Sequence, residues 1–426
     1  MRTTVRGVPA AVLALALAVP LTGAAAGTDL PPLRVSPDGG SFTVGGQAFL
    51  WLGDSAWGLL TDLDRAGVQR YLDMRADQGF TVVQTVVPAA PNVYGDAPSG
   101  VTAGSDPADP AAYDYWDHVD FVVSEAARRG VRVALAPAWS GLVSEDARGF
   151  GEFLGARYGS DVVWMLGSDE AAESSPSAWR GLADGISLGS GAANSDLLMT
   201  YVPGSGQTSE ELYGDAEWLS FSLFRSGLCE DGVESLARVA GGRPYLDAQP
   251  SYEDVPDCAG PGRSDALDIR RNAYADVFAG AAGHTYGEDW PWREAHADEG
   301  ADGMRHLRAL FESRPLLGRT ATPEALTTGP EGVRALRTAD GGSLLVHSPD
   351  GEPFGLDTTG LAGGALRGWW FDPRTGTPID AGTVARGRSV AFYPPTTGPG
   401  DAGLDWVLVV DDTTRGLAPP GTPLPS

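Results

Sequence analysis

Short apolar runs alternate with amphipathic segments along most of the chain. One run, residues 162–166, is wholly apolar and is followed by Gly, Ser and the carboxylates Asp169 and Glu170. A continuous apolar run of this length is typical of a strand buried on both faces, as in a parallel sheet covered by helices. The segment 64–78 instead has helical periodicity, and Gly79 after it is a common stop signal. The pattern therefore predicts alternating strands and helices.

This strand–helix unit recurs about eight times between residues 30 and 318. The predicted strands span residues 49–54, 81–87, 131–139, 161–169, 197–202, 218–224, 244–249 and 283–287. Such alternation over this length predicts an α/β fold, a (β/α)8 barrel of the TIM type. A doubly wound open sheet is the alternative, but no Gly-rich phosphate-binding loop follows any of the strands.

The pattern changes in the last part of the chain. Short apolar runs there are separated by turns such as Asp340-Gly341-Gly342, which predicts a small antiparallel β-sandwich over residues 319–412. Its predicted strands span residues 333–337, 343–347, 353–356, 365–371, 389–392 and 406–410. Residues 413–426 are rich in Pro and Gly, and we expect them to be disordered.

The N-terminus has the pattern of a secretory signal peptide. Arg2 and Arg6 precede an apolar run over residues 10–21, and small residues follow it up to Ala26. This arrangement predicts a signal peptide over residues 1–26 that is cleaved after Ala26. Pro20 and the shortness of the run argue against a retained membrane span. We therefore expect a secreted, extracellular protein without membrane contact after cleavage.

Charge and cysteine content exclude several classes of partner. The formal net charge of -26 argues against nucleic acid and anionic membrane surfaces. The two cysteines, Cys229 and Cys258, are permitted to form an intrachain disulfide in an exported compartment. Two Cys and five scattered His give no metal-ligand spacing, so we expect neither a metal nor another cofactor.

Polar and aromatic residues follow most of the predicted strands, whose ends meet at the mouth of a barrel. They are Asp54, Trp57, Gln84, Trp139, Asp169, Glu170, Tyr201, Arg225, Gln249, Glu253, His284 and Tyr286. This mixture predicts a site for a polar, uncharged, ring-shaped ligand, and two carboxylates flanking a glycosidic bond are what its hydrolysis needs. Alternatively, some of these residues cap helices or satisfy backbone groups, and Trp57 and Trp139 belong to the core.

Several segments resemble the apiosidase-like glycoside hydrolases. The matching stretches are residues 49–57, 75–80, 163–169, 282–287 and 304–308, and residues 369–376 resemble a domain labelled collagen-binding in a collagenase. The resemblance covers most of residues 30–412. It implies a TIM-barrel retaining glycosidase with a carbohydrate substrate, followed by a β-sandwich.

The resemblance also implies catalytic roles, and the chain departs from the family at one of them. The family's acid/base, an Asp after the fourth strand, matches Asp169. Its nucleophile is a Glu within a pattern like Asp-Gly-Glu-Pro-x-Tyr-Glu, which here runs from Asp247 to Glu253 and has Gln249 at the nucleophile position. An amide cannot attack as a carboxylate does. Further departures are Val202 in place of a His and Arg225 in place of a Gln.

Three hypotheses follow from these departures. In the first, which we prefer, an active hydrolase uses Glu253, Asp247 or Glu288 as the second carboxylate, with a separation that decides between retention and inversion. In the second, the barrel is a catalytically silent carbohydrate-binding module. In the third, the chain is an exported adhesion or structural protein that binds through its β-sandwich. Arg225 would favour an acidic sugar such as a uronate, although an ion pair with a nearby acid is the preferred interpretation.

Overall fold

The first described elements are three short antiparallel strands, β1 (Leu33–Val35), β2 (Phe42–Val44) and β3 (Gln47–Phe49). The computed structural model describes residues 30–87, 90–98, 114–137, 146–167, 176–191, 196–204, 206–226, 242–256, 262–288, 299–315, 317–395 and 404–424. The Phe42 ring centroid lies 5.8 Å from that of Trp51 and 5.3 Å from that of Phe221. The small sheet therefore covers the amino end of the barrel, where Trp51 begins the first wall strand.

Eight strands within the described ranges form the barrel wall, as predicted. They are β4 (Trp51–Ser55), β5 (Val82–Val86), β6 (Arg132–Ala136), β7 (Val162–Gly167), β8 (Met199–Val202), β9 (Ser222–Phe224), β10 (Tyr245–Asp247) and β11 (Gly283–Tyr286). Six pair in the order β11-β4-β5-β6-β7-β8, and β9 and β10 form a separate parallel pair. Backbone hydrogen bonds from Ser220 to Met199 (2.8 Å) and from Ala282 to Tyr245 (3.0 Å) join this pair to both edges of the curled sheet. The α/β fold class and the TIM-type barrel are thus confirmed.

Helices follow the wall strands on the outside of the barrel. They are α1 (Arg65–Asp77), α2 (Tyr115–Arg128), α3 (Ala147–Tyr158), α4 (Pro176–Ser190), α5 (Ser209–Tyr213), α6 (Ala266–Phe278) and α7 (Glu299–Glu312). Aspartates start several of them: the carboxylates of Asp64, Asp114 and Asp265 accept hydrogen bonds from backbone N–H groups of the first turn. The helix predicted over residues 230–240 lies outside the described residues.

Glycines bring α3 and α4 into backbone contact. A Cβ added at any of four glycines would overlap a backbone carbonyl oxygen of the facing helix. The overlaps are between Gly151 and Leu182, Gly155 and Ile186, Gly185 and Arg148, and Gly189 and Glu152. These two helices approach so closely because their glycines carry a hydrogen atom where other residues carry a Cβ.

We expect Gly155→Ala to lower the free energy of unfolding by about 1–3 kcal/mol, because the added methyl group forces the helices apart.

The matched control for this change lies on the same helix pair. The nearest atom to a Cβ at Gly181 in α4 is 3.9 Å away, which is ordinary contact. Gly181→Ala should leave stability unchanged or raise it by up to about 1 kcal/mol, because Ala favours helix. Urea unfolding of both variants checks this, and equal stabilities would contradict the packing argument.

The C-terminal part is a two-sheet sandwich of short strands, β12 (Thr320–Ala321), β13 (Leu326–Thr328), β14 (Arg334–Arg337), β15 (Ser343–Ser348), β16 (Phe354–Leu356), β17 (Leu366–Asp372), β18 (Thr377–Val384), β19 (Val390–Phe392) and β20 (Trp406–Asp412). One sheet has the order β12-β14-β15-β20-β17-β18 and the other β13-β16-β19. The apolar pattern predicted six of these strands and missed β12, β13 and β18. Most side chains of β18 are exposed, so it carries little apolar signal.

Residues 413–424 are ordered, in contrast to the disorder that was predicted for residues 413–426. Residues 413–415 form a 3-10 helix, and the backbone N–H of Leu424 donates to the carbonyl oxygen of Glu312 at 3.0 Å. Gly421 lies against the ring of Phe371. Proline and glycine content alone was misleading here, because the segment has a surface to pack on.

The six-stranded sheet packs directly on the barrel. Apolar side chains of α6 and α7 share one buried cluster with side chains of the sheet; from the helices these include Ile269, Tyr274, Phe278, Met304 and Leu310, and from the sheet Leu336, Leu345, Phe371, Val407 and Val409. Buried ion pairs flank the cluster: Arg270 binds Asp405, and Arg314 binds Asp411. Among the described helices, none is long and apolar enough to cross a membrane.

Candidate active site

The register of the wall strands decides which side chains face the barrel interior. Paired residues of parallel strands share a face of the sheet, and so do residues two apart on one strand. Tyr286 pairs with Asp54, and His284 pairs with Leu52, so these four side chains lie on the same face. Leu52 and Tyr286 belong to the apolar cluster that includes helix residues. Asp54, His284 and Tyr286 therefore lie on the helix side of the wall. Ser55 pairs with Gln84 on the opposite, interior side.

Trp57 and Tyr252 meet at the carboxyl ends of the strands, which we call the barrel mouth. The indole Nε1 of Trp57 donates to the hydroxyl oxygen of Tyr252 at 3.0 Å. The charge of Arg225, directly after β9, acts on Tyr252, and all three side chains are half-buried. Gln249 is also half-buried, three residues before Tyr252 in the chain. The structure thus brings together three of the predicted residues (Trp57, Arg225, Gln249) and adds Tyr252.

Gln84 lies deeper in the barrel. Its side chain is fully buried, and Nε2 donates across the interior to the carbonyl oxygen of Ala248 at 3.2 Å. The contact connects β5 to the end of β10, next to Gln249. The Gln84 side chain therefore fixes the backbone at Ala248 by a hydrogen bond from the barrel interior.

Asp54 is part of a buried cluster around Arg75 of α1. Arg75 Nε donates to Asp54 at 2.8 Å and Arg75 Nη2 to Glu288 at 2.8 Å, and Tyr71 also donates to Asp54. The guanidinium carbon lies 5.4 Å from the ring centroid of Tyr71 and 5.3 Å from that of Tyr286. Both carboxylates are thus neutralised on the helix side of the wall, where they fix α1 to the barrel.

Glu253 is held in the same region. Its Oε2 accepts from the hydroxyl of Tyr286 at 2.7 Å, and its Oε1 accepts from the backbone N–H of Gly300 at 3.0 Å. The side chain is 9% exposed, and a Cβ at Gly300 would collide with the carboxylate. Glu253 therefore connects the segment after β10 to β11 and to the first turn of α7, where a negative charge is favourable.

Asp247 fixes the backbone on which Gln249 stands. Its carboxyl group accepts from the backbone N–H of Gln249 (3.1 Å), from the backbone N–H of Ser226 (3.3 Å) and from the Ser226 hydroxyl. These bonds connect the ends of β9 and β10. Burial, with a smaller contribution from the charge of Asp276, raises the pKa of Asp247 to about 8. Asp276 in turn contacts His284 Nδ1 at 2.7 Å.

This pKa has a consequence for stability. A buried acid with a pKa raised to about 8 holds a proton in the folded state that the unfolded chain releases near pH 4. Between those pH values the folded state binds more protons, so this group makes the free energy of unfolding fall as pH rises. Asp247→Asn should remove that contribution, because an amide does not titrate in this range. The fold should be retained, because the amide oxygen can still accept from both N–H groups. Urea unfolding at pH 5 and pH 8 measures it, with the exposed Asp254→Asn as control; equal pH slopes in all three proteins would contradict the assignment.

Tyr201 faces the helices rather than the interior. Its ring centroid lies 4.5 Å from that of Tyr213 in α5 and 5.9 Å from that of Trp179 in α4. The strand period explains this: Tyr201 pairs with Leu166, which is in the same outer cluster. The structure does not bring it together with the residues of the mouth.

Asp169, Glu170 and Trp139 lie outside the described residues, as do Cys229 and Cys258 and hence the predicted disulfide. Their roles stay predictions. Among the described residues there is no group of His, Cys, Asp and Glu side chains that could hold a metal ion. Tyr252 was missed as a site residue, although it stands in the same motif as Gln249 and Glu253; its ring type and its position after a strand were the available signals.

The carboxylates that the sequence offered as a second catalytic group all have protein partners. Glu288 binds Arg75, Asp247 accepts from Ser226 and Gln249, and Glu253 accepts from Tyr286 and Gly300. Hydrolysis by two carboxylates needs one of them to face the sugar. The half-buried side chains in the described part of the mouth include Trp57, Tyr252, Arg225 and Gln249.

Comparison with known proteins confirms the resemblance. A family described as "Apiosidase-like, catalytic domain" matches residues 41–318, and one described as "Putative collagen-binding domain of a collagenase" matches residues 324–411. A solved structure described as "Glycoside hydrolase" is 25% identical, with a TM-score of 0.80 over 90% of this chain and 97% of that chain. A glycoside hydrolase family 5 protein from Bacteroides vulgatus ATCC 8482 is 26% identical, with a TM-score of 0.79 over 91% and 96% of the two chains. No curated protein matches the chain.

Proposed function

Because the chain belongs to the apiosidase-like glycoside hydrolases, we propose that it is an exported O-glycosidase acting on a plant-type or other complex glycan. Asp169 serves as the general acid/base, and Gln249 stands at the position of the family's nucleophile. Export rests on the signal-peptide pattern of residues 1–26, and it would permit the disulfide between Cys229 and Cys258.

The observation that carries the proposal is the composition of the barrel mouth. Trp57 and Tyr252, joined by a hydrogen bond, present two aromatic side chains beside the polar groups of Arg225 and Gln249. Apolar rings with a few fixed polar groups are typical of pockets that orient a small polar ligand. Because the chain belongs to a glycoside hydrolase family and the site lies at the carboxyl ends of the barrel strands, we infer that this ligand is a sugar.

A carbohydrate-binding barrel without turnover is the second candidate. It is supported by a specific observation: Asp54, Asp247, Glu253 and Glu288 are engaged by internal partners, while the expected nucleophile is an amide. Asp169 would then protonate a leaving group without any of these four carboxylates opposite it to act as nucleophile or base. The two candidates differ in turnover and agree in binding.

Hydrolysis by the mature protein, assayed on soluble plant-cell-wall glycans and aryl glycosides, tests the proposal. We expect turnover of at least one substrate and a fall of at least about 10²-fold in Asp169→Asn, because that change removes the general acid while conserving shape. The exposed Asp254→Asn is the matched control and should retain activity. Binding of a glycan by the wild-type protein without turnover would instead establish the second candidate.

A further inference from the structure

Two contacts fix the side chain of Tyr252, one to its ring and one to its hydroxyl oxygen. The ring lies against the backbone of Gly287, since a Cβ added there would overlap it. The hydroxyl oxygen accepts the indole hydrogen of Trp57 at 3.0 Å. These two contacts come from the ends of two neighbouring strands, β11 and β4, so the phenol is held at both ends.

The direction of the Trp57 bond determines what the hydroxyl can do. An indole N–H is only a donor, so the phenol oxygen is the acceptor in this pair and its own hydrogen is directed elsewhere. Burial raises the pKa of Tyr252 to about 12, so the hydroxyl keeps its hydrogen at physiological pH. Ser55 lies beside the hydroxyl and is able to donate or accept. Tyr252 is therefore a permanent hydrogen-bond donor at the mouth.

Beside the neutral Ser55 hydroxyl, the nearby carboxylates are already engaged by other donors. The nearby Asp54 carboxylate is held by Arg75 and Tyr71, and that of Glu253 by Tyr286 and Gly300. Arg225, the other charged group acting on Tyr252, is itself a donor. A ligand that takes the hydrogen of the Tyr252 hydroxyl should therefore present an oxygen acceptor to it.

We propose that Tyr252 is a specificity-determining residue that donates a hydrogen bond to a sugar oxygen, with Trp57 as the positioning residue that orients its hydroxyl. The inference rests on the proposed function and names what that site recognises: a sugar ring with an oxygen acceptor within reach of the phenol. A site built to hydrogen-bond a sugar hydroxyl rejects the analogue that lacks it far more strongly than a site that only contacts the ring.

Four proteins test this: the full mature chain, Tyr252→Phe, Trp57→Phe and the double variant. Each keeps an aromatic ring at both positions. The probes are the soluble plant-cell-wall glycans, measured by affinity electrophoresis, together with kcat/KM on any that are turned over. We expect Tyr252→Phe to weaken binding about 10-fold. Trp57→Phe should weaken it less, and the double variant should bind like Tyr252→Phe, because Trp57 acts through the hydroxyl.

Tyr274→Phe is the matched control, since Tyr274 is a fully buried tyrosine at the contact between the domains, away from the mouth. It should bind as the wild type does. Equal binding by Tyr252→Phe and wild type, or independent and additive effects of the two substitutions, would overturn the inference and leave the proposed function standing. Absence of both glycan binding and turnover in the wild-type protein would overturn both.

A ligand-free measurement checks the orientation directly. The indole N–H resonance of Trp57, assigned by its loss in Trp57→Phe, should shift in Tyr252→Phe because its acceptor has gone. An unmoved resonance would mean that the phenol is not held by Trp57, and would overturn the inference whatever the glycan result.

Discussion

Gln249→Glu is expected to raise the rate of glycoside hydrolysis by at least about 10³-fold. Loss of a nucleophile costs on the order of 10⁶-fold where it has been measured in subtilisin, so even a partly restored carboxylate should give a large gain. The position is prepared for it: the backbone of Gln249 is fixed through Asp247, and the side chain is half-buried at the mouth. Asp169 would supply the acid and the introduced carboxylate the attacking group, as retaining chemistry requires.

Two control variants identify the source of any gain. Gln249→Ala has no carboxylate and should show no increase over wild type. Glu253→Gln should change the wild-type rate only slightly, because Tyr286 and Gly300 already donate hydrogen bonds to both oxygens of the Glu253 carboxyl group. Loss of the wild-type activity in Glu253→Gln, with an unchanged melting temperature, would mean that Glu253 already acts as the second carboxylate. In that case Gln249→Glu should give no gain.

The wall strands could be predicted from sequence, but the faces of their residues could not. All eight strands were predicted because each is a short apolar run bounded by helix signals. In a parallel barrel both faces are apolar, so no alternation tells which residues point inward. Asp54, His284 and Tyr286 therefore looked like residues of the mouth, whereas their partners Arg75, Asp276 and Glu253 hold them on the helix side.

Long-range partners account for most of what sequence analysis missed at the site. Arg75 stands in a stretch that resembles the family, yet nothing local shows that it neutralises both Asp54 and Glu288, which is 213 residues away in the chain. Trp57 and Tyr252 are likewise 195 residues apart. Their meeting depends on closure of the barrel, so a motif can indicate that a residue matters without indicating what it contacts.

Asp405→Ala is expected to lower the free energy of unfolding by about 3–5 kcal/mol, because it leaves the guanidinium of Arg270 buried without its partner. Arg270 Nη2 donates to Asp405 at 2.8 Å and Nε at 3.0 Å, and the Asp405 side chain is 0% exposed. His347 and Arg270 hold the pKa of Asp405 at about 2, against the opposing effect of burial. Its stabilising contribution is therefore present above about pH 4 and is lost as pH falls through about 2.

The matched control for Asp405→Ala is the neighbouring pair across the same contact. Arg271 in α6 binds Asp350 at 2.6 Å, but the Asp350 side chain is 52% exposed. Asp350→Ala should therefore cost no more than about 1 kcal/mol, as exposed ion pairs do. Equal stability of Asp405→Ala and Asp350→Ala would mean that the buried pair does not hold the domains together.

Because one apolar cluster spans the barrel helices and the six-stranded sheet, we expect the wild-type protein to unfold in a single transition. A separate early transition in Asp405→Ala would show that the sandwich detaches first.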